Sequence, residues 1–325
     1  MQEHANIRRT SPARSGKKVI PAISSKVVVA ALIGLLAKLL EEGLLGNEPN
    51  PSYLEISFVP FTALGVAISL FLGFHNNASY DRWWEARTLW GAQIISVRNV
   101  IRFVLGSLVE DEEAPPSDDK HYKMWRQDVI RLCMAQTHAF RAQMRPYCVR
   151  DGENQATQDR DRFLTEQEFT IVSASPNPAN AILLEAGKIV GRVHRHGLID
   201  TFSMIQVSKL IDRLCDIQTA CERIQNTALP LAYSLLVHRT AAIFVALAPF
   251  AMVDSMGWWT PLFTAVLAYT FFGLDELARQ IQEPFGDEPQ CLALSAMCRT
   301  IEIDVSEALG REIPPKLTPS LSVLM

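Results

Sequence analysis

Hydrophobic and polar positions are segregated along this chain of 325 residues. Residues 56–74, between Glu55 and His75, are 19 consecutive uncharged positions, and residues 255–274, between Asp254 and Asp275, are 20. Fourteen more lie between Arg239 and Asp254, and eleven between Lys26 and Lys38. About 20 apolar residues in a helix match the ~30 Å hydrocarbon core of a bilayer. The pattern therefore predicts four crossings, about Val27–Leu45, Ile56–Phe74, Thr227–Val253 and Ser255–Leu274. Lys38, Glu41 and Glu42 interrupt the first, and His238 and Arg239 the third. Charges at such depths face protein, water or the interface. No small-residue cleavage pattern follows the first segment, so a crossing is expected there rather than a signal peptide.

Lysine and arginine supply the orientation. Arg8, Arg9, Arg14, Lys17, Lys18 and Lys26 crowd the N-terminal tail, whereas the connector Gly46–Glu55 and the turn Asp254–Gly257 carry neither residue type. By the positive-inside rule both ends and the middle of the chain face the cytoplasm from a multi-pass position in the cell membrane. Trp258 and Trp259 then fall at the outer interface. The expected organisation is a tail at 1–25, mostly without fixed structure, then two crossings in 26–74. A cytoplasmic helical region follows at 75–226, two further crossings in 227–274, and a C-terminal cytoplasmic segment at 275–325.

The middle region is helical by its period. No proline intervenes between Pro60 and Pro115, so the second crossing is expected to continue as one long helix beyond the membrane. Trp83, Trp90, Val97 and Val104 recur every seven positions with Ile94, Ile101 and Leu108, while Arg82, Arg87, Arg98 and Arg102 take other faces. Further helices are expected at about His121–Pro146, Ala179–Val193 and Thr201–Gln225, the last amphipathic through Phe202, Ile205, Leu210, Leu214, Ile217 and Ile224. The polar stretch Arg150–Arg162 is expected to be a surface loop. Strand signals are nearly absent, and the fold class is all-α.

Charge and chemistry narrow the function. A net charge of −4 is too mild for a nucleic-acid partner. Six cysteines form no CxxC pair, which points to free thiols in a reducing compartment. His194 and His196 sit beside Arg192 and Arg195 with no third ligand nearby, as a solvated basic surface would. Gly187–Lys188 lacks the glycine-rich loop of a phosphate site, and GxSxG and HExxH are missing. Nothing supports an enzyme, a metal or a cofactor.

The second crossing carries two stripes. Gly65, Ser69 and Gly73 form a ridge of small residues that permits close helix approach. Val66, Leu70 and Phe74 form a parallel apolar ridge. Both can be packing surfaces. With several copies of the helix around an axis, the apolar ridge instead faces a pore and forms a hydrophobic constriction.

The run Phe61–Gly91, with FLGF at Phe71–Phe74, NNASYDRWWEAR at Asn76–Arg87 and LWG at Leu89–Gly91, resembles the bacterial branch of the bestrophin family. LPLAY at Leu229–Tyr233 and PFGDE at Pro284–Glu288 extend the likeness over about residues 20–310. Asp81, Arg82, Trp83 and Trp84, with Pro284, Phe285 and Gly286, carry the signature. The resemblance implies a homopentameric ion channel in the lipid bilayer that passes small monovalent ions. The family includes chloride channels, and bacterial members that favour cations such as sodium. Aligned on Arg82–Trp83–Trp84, the family's apolar neck falls on Val66, Leu70 and Phe74, and a second, cytoplasmic constriction falls near Phe202. Calcium-activated relatives continue Pro-Phe-Gly into a long acidic run; here only Asp287 and Glu288 follow, too few oxygens for calcium. The alternative is a membrane scaffold whose cytoplasmic helices bind a partner protein. A secondary transporter would show internal repeats and broken helices.

Overall fold

The computed structural model describes residues 13–42, 58–107, 124–145, 152–286 and 288–317, with the backbone alone for 13–22, 58, 107, 152–156 and 231. Its elements are α1 (Ala13–Glu41), α2 (Phe58–Arg102, ending in a π-turn at Phe103–Ser107), α3 (Trp125–Met144), α4 (Gly152–Asp161) and α5 (Glu166–Ser173). They continue with α6 (Pro178–Arg195), α7 (Thr201–Asn226), α8 (Leu231–Met256), α9 (Thr260–Ile281) and α10 (Leu294–Ala308). No strand forms among the described residues. Two compact units result, one within Met1–Trp83 and Ala228–Pro284, the other within Trp84–Thr227 and Phe285–Met325.

The first unit is a helical bundle in which α9 runs antiparallel to both α1 and α8. Three segments are long and apolar enough to cross a membrane, Ile23–Glu41, Val59–Gly106 and Ala232–Ile281, and the last of these contains both α8 and α9. A 3-10 turn at Gly257–Trp259 reverses the chain between α8 and α9, with Gly257 at φ 51°, where a side chain would be strained. This turn lies a few residues beyond the expected reversal at Asp254–Gly257. Phe244 meets Phe271 at 5.4 Å between centroids, and His238 Nδ1 lies 2.7 Å from Asp275 Oδ2. The second contact gives the polar His238 a partner in an apolar helix. Lys38 is similarly held by Glu41 at 2.6 Å and Glu42 at 3.4 Å. α1 runs against α9: the Lys26 ammonium lies over Phe272, and Ala30 packs with Ala268. Further along, Gly34 is so near α9 that an added Cβ would stand 2.9 Å from Pro261 Cα. α1 also begins far earlier than expected. Residues 13–25 are helical, which corrects the reading of the tail as mostly unstructured.

In the second unit α3 is the hub, with α4, α6, α7 and α10 packed against it. Residues 132–140 of α3 are all buried, and Trp90 of α2 stacks on Phe140 at 4.9 Å. Of the predicted α2 stripe, Trp90, Val97 and Val104 are buried. The core is not purely apolar. Gln93 Nε2 donates to Gln136 Oε1 at 2.8 Å, Gln136 Nε2 to Gln218 Oε1 at 3.3 Å, and Gln218 Nε2 to Glu222 at 2.8 Å. This chain of amides links α2, α3 and α7 and satisfies groups that would otherwise be costly to bury. None of the five described cysteines forms a disulfide, and burial pushes the thiols of Cys133, Cys221 and Cys298 up to about 12.

Three elements depart from expectation. The stretch Arg150–Arg162 is no loop: Gly152–Asp161 is helical and is tied to α3 by Arg141 to Asp159 at 2.9 Å. α5 was not foreseen, although Thr165 and Glu168 spell out the capping box that starts it. α10 was also missed, and its buried Leu294, Cys298, Ile301 and Val305 fall at helical spacing.

Close approach makes Gly34 a sensitive position. Gly34→Ala should cost about 1–3 kcal/mol, seen as a lowered melting temperature in detergent. Gly273→Ala, where an added Cβ meets nothing within 4 Å, should leave it unchanged. His138 generates a pH dependence. It is buried, stacks on Phe163 at 5.6 Å, and neither ring nitrogen has a hydrogen-bond partner among the described residues. Burial, reinforced by the charge of Arg141, pushes its pKa down to about 3. The unfolded imidazole binds a proton near pH 6.5 that the folded one refuses. Stability is therefore full above about pH 6.5 and falls by about 1.4 kcal/mol per unit as the pH drops toward 3. His138→Phe should flatten that slope in thermal melts across pH 6.5–4.

Candidate functional site

α2 is built so that one face is used up inside the chain. Phe61 stacks on Phe244 of α8 at 4.3 Å and 7°, and Tyr233 Oη donates to the Phe71 carbonyl at 3.2 Å. Phe61, Ile68, Leu72, His75 and Ser79 are buried along this face, a spacing of seven, four, three and four. His75 packs against Tyr233 at 5.7 Å.

At about 100° per residue, Val66, Leu70 and Phe74 centre roughly opposite that buried face. Their side chains are 63%, 57% and 61% exposed. Three bulky apolar side chains thus form one continuous ridge that the described residues leave uncovered. Such a surface belongs against lipid, against another copy, or in a dewetting constriction.

The small ridge lies on the flank between these faces, and its members differ. Gly65 makes room for Phe244, whose Cζ would be 2.8 Å from an added Cβ. Its close approach is to an aromatic side chain of the same chain. Ser69 Oγ donates to the Gly65 carbonyl at 2.8 Å. Gly73 is open, with nothing within 4 Å of an added Cβ, and is free to admit a neighbouring helix.

The remaining candidates scatter. Phe202 stands in the first turn of α7 at 82% exposure, so it takes no part in the core that its periodicity suggested. Ile205 is also exposed, whereas Leu214, Ile217 and Ile224 are buried as expected. Asp200 caps this helix by accepting from the Ser203 N–H at 2.7 Å. In the signature, Arg82 Nε donates to the Gln282 carbonyl at 2.8 Å, Trp83 is half-buried, and Trp84 and Asp81 are exposed. Pro284 and Phe285 are buried and Gly286 is half-buried. Asp287 lies outside the described residues. Arg145 donates to the carbonyls of Phe285 at 3.2 Å and Leu292 at 2.6 Å. A guanidinium on those carbonyls opposes a cation there. Glu288 is half-buried, and no group of three His, Cys, Asp or Glu able to hold a metal occurs among the described residues. His194 Nδ1 lies 3.1 Å from the Ile199 carbonyl, a contact within its own turn.

Comparison with known proteins gives a consistent result. The family model for bacterial and fungal bestrophin proteins matches residues 4–307. The voltage-dependent anion channel-forming protein mll4386 of Mesorhizobium japonicum is 38% identical over 303 residues, 93% of this chain and 88% of that protein. The voltage-dependent anion channel-forming protein YneE of Escherichia coli is 34% identical over 267 residues, 82% of each chain. A crystal structure of a bacterial bestrophin homologue from Klebsiella pneumoniae matches with a TM-score of 0.74 and 31% identity, covering 89% of this chain and 99% of that one. The all-α arrangement, the apolar helices and these matches together make the chain a membrane protein of a channel family and not an enzyme: it belongs to the bacterial and fungal bestrophin family.

Proposed function

We propose that this chain is the pore-forming subunit of a passive channel for small monovalent ions. α1, α2, α8 and α9 each cross the membrane once, both termini are cytoplasmic, and the second compact unit lies in the cytoplasm. The subunits assemble as a homopentamer around α2, as the family resemblance implies. Val66, Leu70 and Phe74 then form three stacked apolar rings, Gly73 lets adjacent helices approach, and Phe202 stands at the cytoplasmic constriction. The observation that carries this reading is the exposure of the apolar ridge on the side of α2 opposite its packed face. Anion conduction is named for the relatives, and it is extended here to this chain.

A dry ring of five leucines blocks ions without filling the pore, because water and ions would have to enter an apolar constriction. Leu70→Ala should widen and wet that ring and raise current at a given voltage in purified protein reconstituted into bilayers. If the ridge served packing alone, the same change would cost roughly 2–5 kcal/mol and lower the oligomer yield without raising current. Measuring both on one preparation separates the two, and an intact oligomer that passes no ion would favour the scaffold.

Calcium provides the next test. With Arg145 on the Phe285 and Leu292 carbonyls, chelation of calcium should leave the conductance unchanged. A steep loss of current, abolished by Asp287→Ala, would reveal a calcium site at this segment.

A further inference from the structure

Asp81 belongs to the signature motif, yet the apolar ridge does not account for it. It lies seven residues beyond Phe74, about 10 Å along the helix, and at about 100° per residue it returns to the face that carries Val66, Leu70 and Phe74. Asn77 lies on the same face between them. Both side chains are exposed. No hydrogen bond or ion pair engages the Asp81 carboxylate among the described residues.

The neighbouring charges of this unit are turned away or already engaged. Arg82 is half-buried on the other side of α2 and donates to the Gln282 carbonyl. Asp275 is held by His238 and Glu276 by Arg279. Arg239 is exposed on α8, but the contacts of Phe71 with Tyr233 and of Phe61 with Phe244 put it level with Val66. That is about 22 Å along the helix from Asp81, beyond the Debye length of about 8–10 Å in physiological salt. Among the described residues, no cation of this unit pairs with the Asp81 carboxylate, which lies about one Debye length from the end of the apolar ridge.

We propose that Asp81 is the charge-selecting residue of the conduction path: one carboxylate per subunit forms a ring at the cytoplasmic mouth of the neck, concentrating small monovalent cations and depleting small anions. This rests on the reading of Val66, Leu70 and Phe74 as the neck. Uncharged apolar rings do not distinguish the sign of an ion, so a fixed charge at their mouth decides which ion waits at the entrance. The ring works against the anion conduction that the relatives' names carry. The selectivity of this channel is the balance between the two.

The test uses the full-length protein, reconstituted as the oligomer, with reversal potentials in a tenfold NaCl gradient. Asp81→Asn removes the charge at nearly constant shape and should lower the sodium-to-chloride permeability ratio by about tenfold. Asp81→Lys should lower it further. Both shifts should shrink near 1 M salt, where the Debye length is about 3 Å. An unchanged ratio in Asp81→Asn, in a preparation where Leu70→Ala does alter the current, overturns the role of Asp81 and leaves the neck standing. If neither substitution alters permeation in intact oligomers, the neck reading fails and the role of Asp81 falls with it. Asp81 is exposed, so Asp81→Asn should assemble normally on size exclusion even if the lysine variant does not.

Discussion

The parallel stack of Phe61 on Phe244 commits one side of α2 to α8, and the rest of that helix is defined by the commitment. An α-helix as apolar as residues 58–74 has more hydrophobic surface than a single neighbour can cover. Once Phe61, Ile68 and Leu72 are turned inward, helical geometry leaves Val66, Leu70 and Phe74 pointing away. The exposed ridge is thus a consequence of the packed one. It needs a second copy, a lipid or an ion path to explain its chemistry, and the proposed neck is the account that uses all three residues at once.

The second unit solves a different problem. Its central helix α3 is buried on every face over residues 132–140, which an amphipathic helix of an ordinary domain is not. The interior around it carries polar groups, and Gln93, Gln136 and Gln218 hydrogen-bond to one another in sequence. Directional hydrogen bonds of this kind fix the register of α2, α3 and α7 more tightly than shape alone. α2 runs without a break from Phe58 to Arg102. Its residues up to Trp83 belong to the first unit and those from Trp84 to the second.

Much of this was legible in the residues, for reasons that differ from element to element. The unbroken α2 follows from the absence of proline between Pro60 and Pro115, and α7 was placed to within a residue by its apolar period. The failures came where local polarity was misleading. Residues 152–161 are polar because helix α4 is held by ion pairs such as Arg141 with Asp159, not by an apolar stripe. Phe202 continued the stripe of α7 in sequence but lies past the end of the surface that α7 buries, so it is exposed. For the ridge on α2, spacing alone did not separate packing from exposure. The difference lies in the aromatic stack with Phe244, a partner 183 residues away that no local pattern reveals. Gly65 illustrates the same limit: its small size serves that distant ring.

The central claim is that the ridge opposite the Phe61 stack lines the ion path. It is tested most directly by single cysteines placed in turn along α2 at Val66, Ile68, Leu70, Leu72 and Phe74. Each variant is reconstituted and treated with a charged thiol reagent during current recording, against the background of the parent protein. The account predicts that modification at positions 66, 70 and 74 changes the current, while positions 68 and 72, on the packed face, are silent. Equal effects at all five positions, or effects confined to 68 and 72, would contradict it.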